Sequence, residues 1–306
     1  MKLFKNRGDI YISKVNKEKS IEQRILLTAL VFIVLFTIVF VIGLGIKYDF
    51  SAKEFFAPEE PITTVTTDVN DEILLPEVSG KTNFFLTVQK DGKLLFAALV
   101  QADLDNIAYK ATVLKPETLI GDAALSDIYG ESEHAALAET VKNELGIPID
   151  YFADMQSKDF EELYNSAGVV SFPVLNDIHF KDNDSAVPYS VRLRAGEQKI
   201  KGADFVNLTR YYLSEDMTSS AGELFLAGMS QHFNQEFYEN KEELFTEFVT
   251  KADTNISIKD FSLADPAFEV LTNEKVGVGV YNAFAEYDGN EITAESLRSV
   301  KSYYVK

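Results

Sequence analysis

The chain has 306 residues, 46% hydrophobic and 25% charged, with no cysteine and a formal net charge of −19. That apolar fraction suffices for a sizeable core, and the lack of cysteine excludes disulfides, thiolate metal sites and a cysteine nucleophile. The acidity would repel phosphate backbones, so no nucleic-acid partner is expected.

The charge is unevenly spread. Residues 1–24 carry seven Lys/Arg against Asp9, Glu18 and Glu22, a net +4, and Lys47 adds one more positive charge, so residues 48–306 hold −24. Between these lies ILLTALVFIVLFTIVFVIGLGI, residues 25–46, uncharged over 22 positions. As a helix it would be about 33 Å long, enough to cross a bilayer core. It is longer than the apolar core of a cleaved signal peptide. The basic flank precedes it, which places residues 1–24 in the cytoplasm as a basic tail and 48–306 outside. The expectation is a single-pass anchor in the cell membrane with an extracytoplasmic domain. Residues 48–81, with Pro58, Pro61, Pro76 and a Thr/Val tract, read as an extended stalk.

From residue 82 the pattern becomes structured. TNFFLTVQ and KLLFAALVQADL, joined by KDG, read as a hairpin, and NIAYKATVL as a third strand. The unbroken apolar run Leu94–Val100 predicts a strand buried on both faces. SEHAALAETVKNELGIP predicts a helix capped by Ser132, with Leu137, Val141 and Leu145 inward and Gly146 and Pro148 at its stop. IDYFADMQ reads as a strand and SKDFEELYNSAG as a helix burying Phe160, Leu163, Tyr164 and Ala167. VVSFPVL, YSVRLRAG and DFVNLTRYY read as strands, which puts Arg210 at a strand end, and HFKDNDSAVP between them as a polar loop. A long helix is expected over Ser219–Thr250. Its series Phe225, Phe233, Phe237, Phe245 and Phe248 reads chiefly as core. The last part, 251–306, reads as a helix or turn, a strand and a final helix. The sum is an α/β fold, an α-β-α sandwich with a mixed central sheet and helices on both faces.

Candidate chemistry is sparse. His134, His179 and His232 lie far apart with no ligand spacing, so no metal site is expected. KDNDSA lacks the spacing of a dedicated calcium loop and reads as solvated.

Two segments carry a likeness. One is ELGIPIDYFADMQSKDFEELYNSAGVVSFPV, Glu144–Val174, and the other is LRAGEQKIKGADFVNLTRYY, Leu193–Tyr212. Over residues 82–306 the chain resembles the LytR–CpsA–Psr family of bacterial cell-envelope proteins. Gly196, Gln198, Ile200, Gly202 and Arg210 stand at the family's positions in the second segment. The resemblance implies a membrane-anchored domain that moves a glycopolymer from a polyprenyl-pyrophosphate carrier to peptidoglycan, with the lipid tail in an apolar pocket. Arginines, acids and Mg²⁺ would neutralise the diphosphate oxygens.

The charge is missing where that chemistry needs it. Lys93 precedes Leu95, which stands where the metal-binding Asp belongs, and Lys115 and Pro116 stand for an Arg-Asp pair. Of an Arg-x-Arg only Arg210 remains, with Tyr212 for the second, and the next helix reads Gly222, Glu223 where arginine follows glycine. Charge-assisted hydrogen bonds contribute about 1.5–3 kcal/mol each, so three lost arginines remove about 4–9 kcal/mol from diphosphate binding.

Three readings stay open. The first is a non-catalytic relative that binds polyprenyl lipid or acts as a scaffold in cell-wall biogenesis, needing no cofactor. Its ligand-binding candidates are Arg210, Lys115 and Lys93. The second is a working phosphotransferase using Lys93, Lys115 and Arg210, with Asp103 or Glu117 on Mg²⁺. The third is a surface adhesion or sensory module. Expected partners are the membrane, a polyprenyl-linked glycan and peptidoglycan.

Overall fold

A computed structural model describes residues 75–305. The expected cytoplasmic tail, the span at 25–46 and the stalk as far as residue 74 lie outside them. Among the described residues no helix is long and apolar enough to cross a membrane.

The chain opens with β1 (Lys81–Lys90) and β2 (Lys93–Asp103), joined by Asp91 and Gly92, both at positive φ (51° and 74°) as a two-residue hairpin turn requires. Then come β3 (Ala108–Leu114), the short pair β4 (Leu119–Ile120) and β5 (Ala123–Ala124), α1 (Leu125–Glu131) and α2 (His134–Leu145). The middle holds β6 (Tyr151–Gln156), α3 (Ser157–Ser166), β7 (Val170–Val174), β8 (Ile178–Asp182), β9 (Tyr189–Leu193), β10 (Gly196–Ile200), α4 (Gly202–Ser214) and α5 (Thr218–His232). The last third holds α6 (Gln235–Lys251), β11 (Ala252–Thr254), α7 (Ile258–Leu263), α8 (Asp265–Leu271), β12 (Gly279–Asn282), β13 (Tyr287–Asp288), β14 (Glu291–Ile292) and α9 (Ala294–Tyr304).

Six strands form one sheet in the order β11-β6-β1-β2-β3-β12. It is mixed: β1/β6 and β3/β12 are parallel, and the other three pairs antiparallel. Residues 94–101 of β2 are all buried, because both faces are covered. On one face Val88, Ala98, Val100, Tyr109, Ala111 and Val113 pack with α3, α4 and α5. On the other, Phe85, Ala97, Leu99 and Leu114 pack with α1, α2 and α9. The α-β-α expectation holds.

The second face carries a buried polar chain that fixes α9. Lys110 Nζ donates to Asp103 Oδ2 (2.6 Å), Gln101 Oε1 (2.9 Å) and the Tyr303 carbonyl (3.1 Å). Asn83 donates to the Tyr304 carbonyl, and Tyr304 Oη reaches the Leu99 carbonyl (2.9 Å) and Thr112 Oγ1 (3.0 Å). Every member has a partner, which is the condition for keeping polar groups inside a core.

Four local expectations fail. DFVNLTRYY is helix, within α4, because Phe205, Leu208, Thr209 and Tyr212 bury one helical stripe; its β-branched and aromatic content suggested a strand. Arg210 therefore lies on a helix. The single helix over Ser219–Thr250 breaks at Phe233–Asn234, where Asn234 Oδ1 caps α6 by accepting from the Phe237 N–H (2.9 Å). HFKD belongs to β8, not to a loop. Ser132 ends α1, and α2 starts after Glu133 with no side-chain cap.

Candidate functional site: an apolar cavity and a closed helix junction

Interiors are packed like organic crystals, so a large void signals a ligand or a special use. Between the sheet and α3, α6, α7 and α8 lies a cavity of about 590 Å³, within the size range of small-molecule sites. Its floor is Phe84 of β1 and Ala102 and Leu104 at the end of β2. Phe160, Leu163 and Tyr164 of α3 form one wall. Phe237, Leu244, Phe245 and Phe248 of α6 form another, at the i, i+7, i+8, i+11 spacing of one helix face. Phe261 and Phe268 close the third side, and Phe261 stacks on Phe245 at 4.0 Å between centroids. No residue of α6 is fully buried. The helix borders open apolar space instead of close-packed core.

The Phe series of the sequence thus divides. Phe225 is core, and Phe233, Phe237, Phe245 and Phe248 line the cavity. This corrects the reading of that series as chiefly core. The stripe, with Phe261 and Phe268 following it, was the available signal.

Few polar groups face the cavity. Lys241 is held by Asp265 (3.1 Å) and lies over the Tyr238 ring. Burial keeps the His232 imidazole below its usual pKa, against a raising hydrogen bond with the Gly168 backbone. Burial pushes the Tyr164 hydroxyl well up. Asp260 adds a carboxylate bound by Ser257 at the start of α7, and the rest of the lining is apolar, suited to hydrocarbon and hostile to a diphosphate.

The positions that a diphosphate grip would need lie elsewhere. Lys115 follows β3 and is buried; its Nζ donates to Asp216 (3.0 Å) and the Gly289 carbonyl (2.8 Å) and sits 4.5 Å from the Tyr287 ring centre. Asp216, at φ 55°, lies in the turn between α4 and α5. The cation therefore closes the junction internally. Arg210 lies 3.8 Å over the Tyr189 ring and donates to the Val187 carbonyl, which ties α4 to the β8–β9 hairpin. Burial lowers its pKa, against the raising effects of Tyr189 and Asp182; a guanidinium stays charged regardless. Lys93 is exposed at the start of β2. Lys115 and Arg210 share no partner, and none of the three lines the cavity. Leu95 and Tyr212 are core, and Glu223 is exposed, accepting from Ser219 Oγ (3.3 Å).

The residues present do not fit Mg²⁺. Leu95 and Pro116 offer no side-chain oxygen. Asp103 is bound by Lys110 and Asn106 and sits ten residues from Lys93 on β2, about 33 Å at strand rise. Glu117 is exposed beyond the other end of the sheet. Among the described residues no group of three or more His, Asp or Glu is placed to hold a metal. The fold sets Asp103 at the opposite end of β2 from Lys93, whereas Glu117 stands at the end that carries Lys93 and Lys115 and acts with Asp216 on the Tyr287 ring beneath Lys115.

Helix α5 runs from the junction at Thr218 to His232 at the cavity, about 22 Å for 15 residues. Between them Phe205, Leu224 and Phe225 are packed core. The cavity and the junction are separate places.

The sequence profile of the LytR_cpsA_psr family matches residues 121–276. No curated protein matches the chain. Solved structures share its fold. A Eubacterium siraeum protein described as a transcription regulator is 15% identical over 78% of this chain and 97% of its own, with TM-score 0.61. TagV of B. subtilis is 17% identical, covering 74% and 97%, at 0.54. TagT bound to LIIa-WTA is 14% identical, covering 73% and 89%, also at 0.54.

Proposed function

The chain belongs to the LytR_cpsA_psr family, and from that premise we propose that it is a non-catalytic member. In this reading residues 25–46 anchor it in the cell membrane, and the domain outside holds the hydrocarbon of a polyprenyl-type lipid in the cavity beneath α6. It serves cell-wall biogenesis as a lipid binder or scaffold. TagT, of the same fold, is described as bound to LIIa-WTA, which supports a lipid-linked wall polymer as the kind of ligand.

One observation carries the proposal: the cavity is apolar, and the cationic positions that would grip a diphosphate are either closed by internal partners or far from it. Each methylene moved from water into the cavity contributes about 0.8 kcal/mol. Nothing at the junction offers the charge neutralisation that breaking a phosphate ester needs.

The test uses the full chain purified in detergent. Native mass spectrometry should find isoprenoid lipid bound to the parent and absent from Ala267→Trp, which fills the cavity. Incubation with a polyprenyl-diphosphate glycan, peptidoglycan and Mg²⁺ should give no phosphate-linked product. A product would overturn the non-catalytic reading in favour of phosphotransfer. A parent with no lipid, and no loss on filling, would overturn lipid binding in favour of adhesion or sensing.

A further inference from the structure

A second surface has the opposite character from the cavity. In β8 and β9 burial alternates strictly: Ile178, Phe180, Val191 and Leu193 face inward, and His179, Lys181, Ser190 and Arg192 are exposed. His179 pairs directly with Arg192 and Lys181 with Ser190, while Ile178 pairs with Leu193. One step beyond, exposed Arg194 and Asp177 continue the same face. Asp177, His179, Arg192 and Arg194 line one cleft there. Because strand side chains alternate, the register gathers the hairpin's cations on its outer face. Of the hairpin's two acids, Asp182 points to the inner side, where it accepts from the Asp184 and Ser185 N–H groups, and Asp184 is exposed in the turn beyond Lys181.

These cations are not used inside the molecule. The side chains of Lys181, Arg192 and Arg194 form no hydrogen bond or ion pair with any described residue. This contrasts with Lys115, Lys241 and Lys251, each of which has a carboxylate partner. Asp177 is the acid of the strip, and its Oδ1 accepts from the Ala195 N–H (2.8 Å). The strip lies on a region that is otherwise strongly acidic, since residues 48–306 sum to −24. A polyanion would be repelled from most of the surface and drawn to this one.

The spacing says what kind of anion. One cation stands on each of three successive outward rungs, Arg194, Arg192 and Lys181, at intervals of about 6.6 Å, two strand residues. Guanidinium forks suit phosphate oxygens. A single compact anion would meet one rung. An extended chain carrying one phosphodiester per repeat would meet all three.

We propose that the outer face of the β8–β9 hairpin is a docking strip for a linear phosphodiester polymer of the wall type, lying along the strands. The strip stands on different residues from the cavity, so either site can fail without the other.

The experiment uses the full chain in nanodiscs of neutral phosphatidylcholine, with fluorescently labelled poly(glycerol phosphate) as probe and anisotropy as readout. Arg192→Ser/Arg194→Ser should weaken binding about tenfold or more and reduce the slope of log affinity against log salt by about two. Lys199→Ser/Lys201→Ser removes the same charge off the strip and should change affinity less than twofold. The basic segment 1–24 is common to all variants and cancels in the comparison. Lipid bound in the cavity should be unchanged in both variants. Equal weakening by the two double variants would reduce the effect to net charge and overturn the proposal. So would no weakening by either. Binding that prefers anionic vesicles to the polymer and is lost with Arg192 and Arg194 would assign the strip to a lipid surface and overturn the polymer.

Discussion

Gly202 starts α4 where that helix crosses α3. A Cβ built there would collide with the Glu161 carbonyl oxygen and lie 2.5 Å from its Cα, against about 3.5–4.0 Å for an ordinary contact. Both contacting atoms are backbone, so no side chain can swing aside, and one helix must shift by about 1 Å. Helix propensity alone predicts the reverse, since alanine is favoured over glycine by about 1 kcal/mol. Overpacking costs about 1–3 kcal/mol and sometimes more, and Gly202→Ala should therefore be destabilising. For a domain of this size about 1 kcal/mol moves the melting temperature about 2–4 °C, so a loss of about 3 kcal/mol lowers it by 6–12 °C. Gly130 of α1 is the control, because a Cβ there meets nothing within 4 Å. Gly130→Ala should raise stability by about 0.5–1 kcal/mol. Circular-dichroism melts of the full chain in detergent measure both. Because α3 is a cavity wall, Gly202→Ala should also lower lipid content. A melting temperature equal to or above the parent's would refute the close approach of α3 and α4.

Further outcomes follow from the buried polar chain and from Arg210. Burial raises the Asp103 carboxyl, and the hydrogen bonds from Lys110 and Asn106 outweigh it, leaving the group below its ordinary 3.8. A depressed pKa contributes stability above the unfolded value that is lost as pH falls through the folded one. Lys110→Met leaves that carboxylate buried without its counter-charge, held only by Asn106, at a cost of about 3–5 kcal/mol. Urea midpoints should be lower in the variant at pH 7, and the gap to the parent should narrow as pH falls towards 3, because protonating Asp103 removes the charge that Lys110 balances; a gap that stays constant would contradict the pairing. Tyr304→Phe removes the hydroxyl held by Leu99 and Thr112 and should cost about 1–1.5 kcal/mol, read in the same titrations. Arg210→Ala removes the stack on Tyr189 and should speed proteolysis between β8 and β9 with lipid content unchanged. Loss of lipid in that variant would instead place the guanidinium at the ligand.

The sheet was legible because its signals are local and redundant. The Asp91-Gly92 turn, the doubly buried run of β2 and the Gly146 stop of α2, at φ 62°, each state their element within a few residues. DFVNLTRYY misled because residue type argued one way and spacing the other, and burying Phe205, Leu208 and Tyr212 against the sheet decided for the helix. The long helix divided because Asn234 is both polar filler and cap, and only its bond to Phe237 tells which. The departures from the family's pattern were visible in single letters, at Leu95, Pro116 and Glu223. The cavity was not, because an aromatic stripe looks alike whether it meets side chains or empty space. Nor was the fate of Lys115, whose partner Asp216 is 101 residues away.

The two ends of the described region meet. Lys81 Nζ donates to the Val305 carbonyl (3.3 Å), and Asn83 to that of Tyr304. A short peptide bridge between them would close the unit into a ring, and cutting the ring at Asp91-Gly92 would create new termini in an exposed turn. A reporter fused beside Val305 would stand at the opposite end of β1 from the Asp91-Gly92 turn.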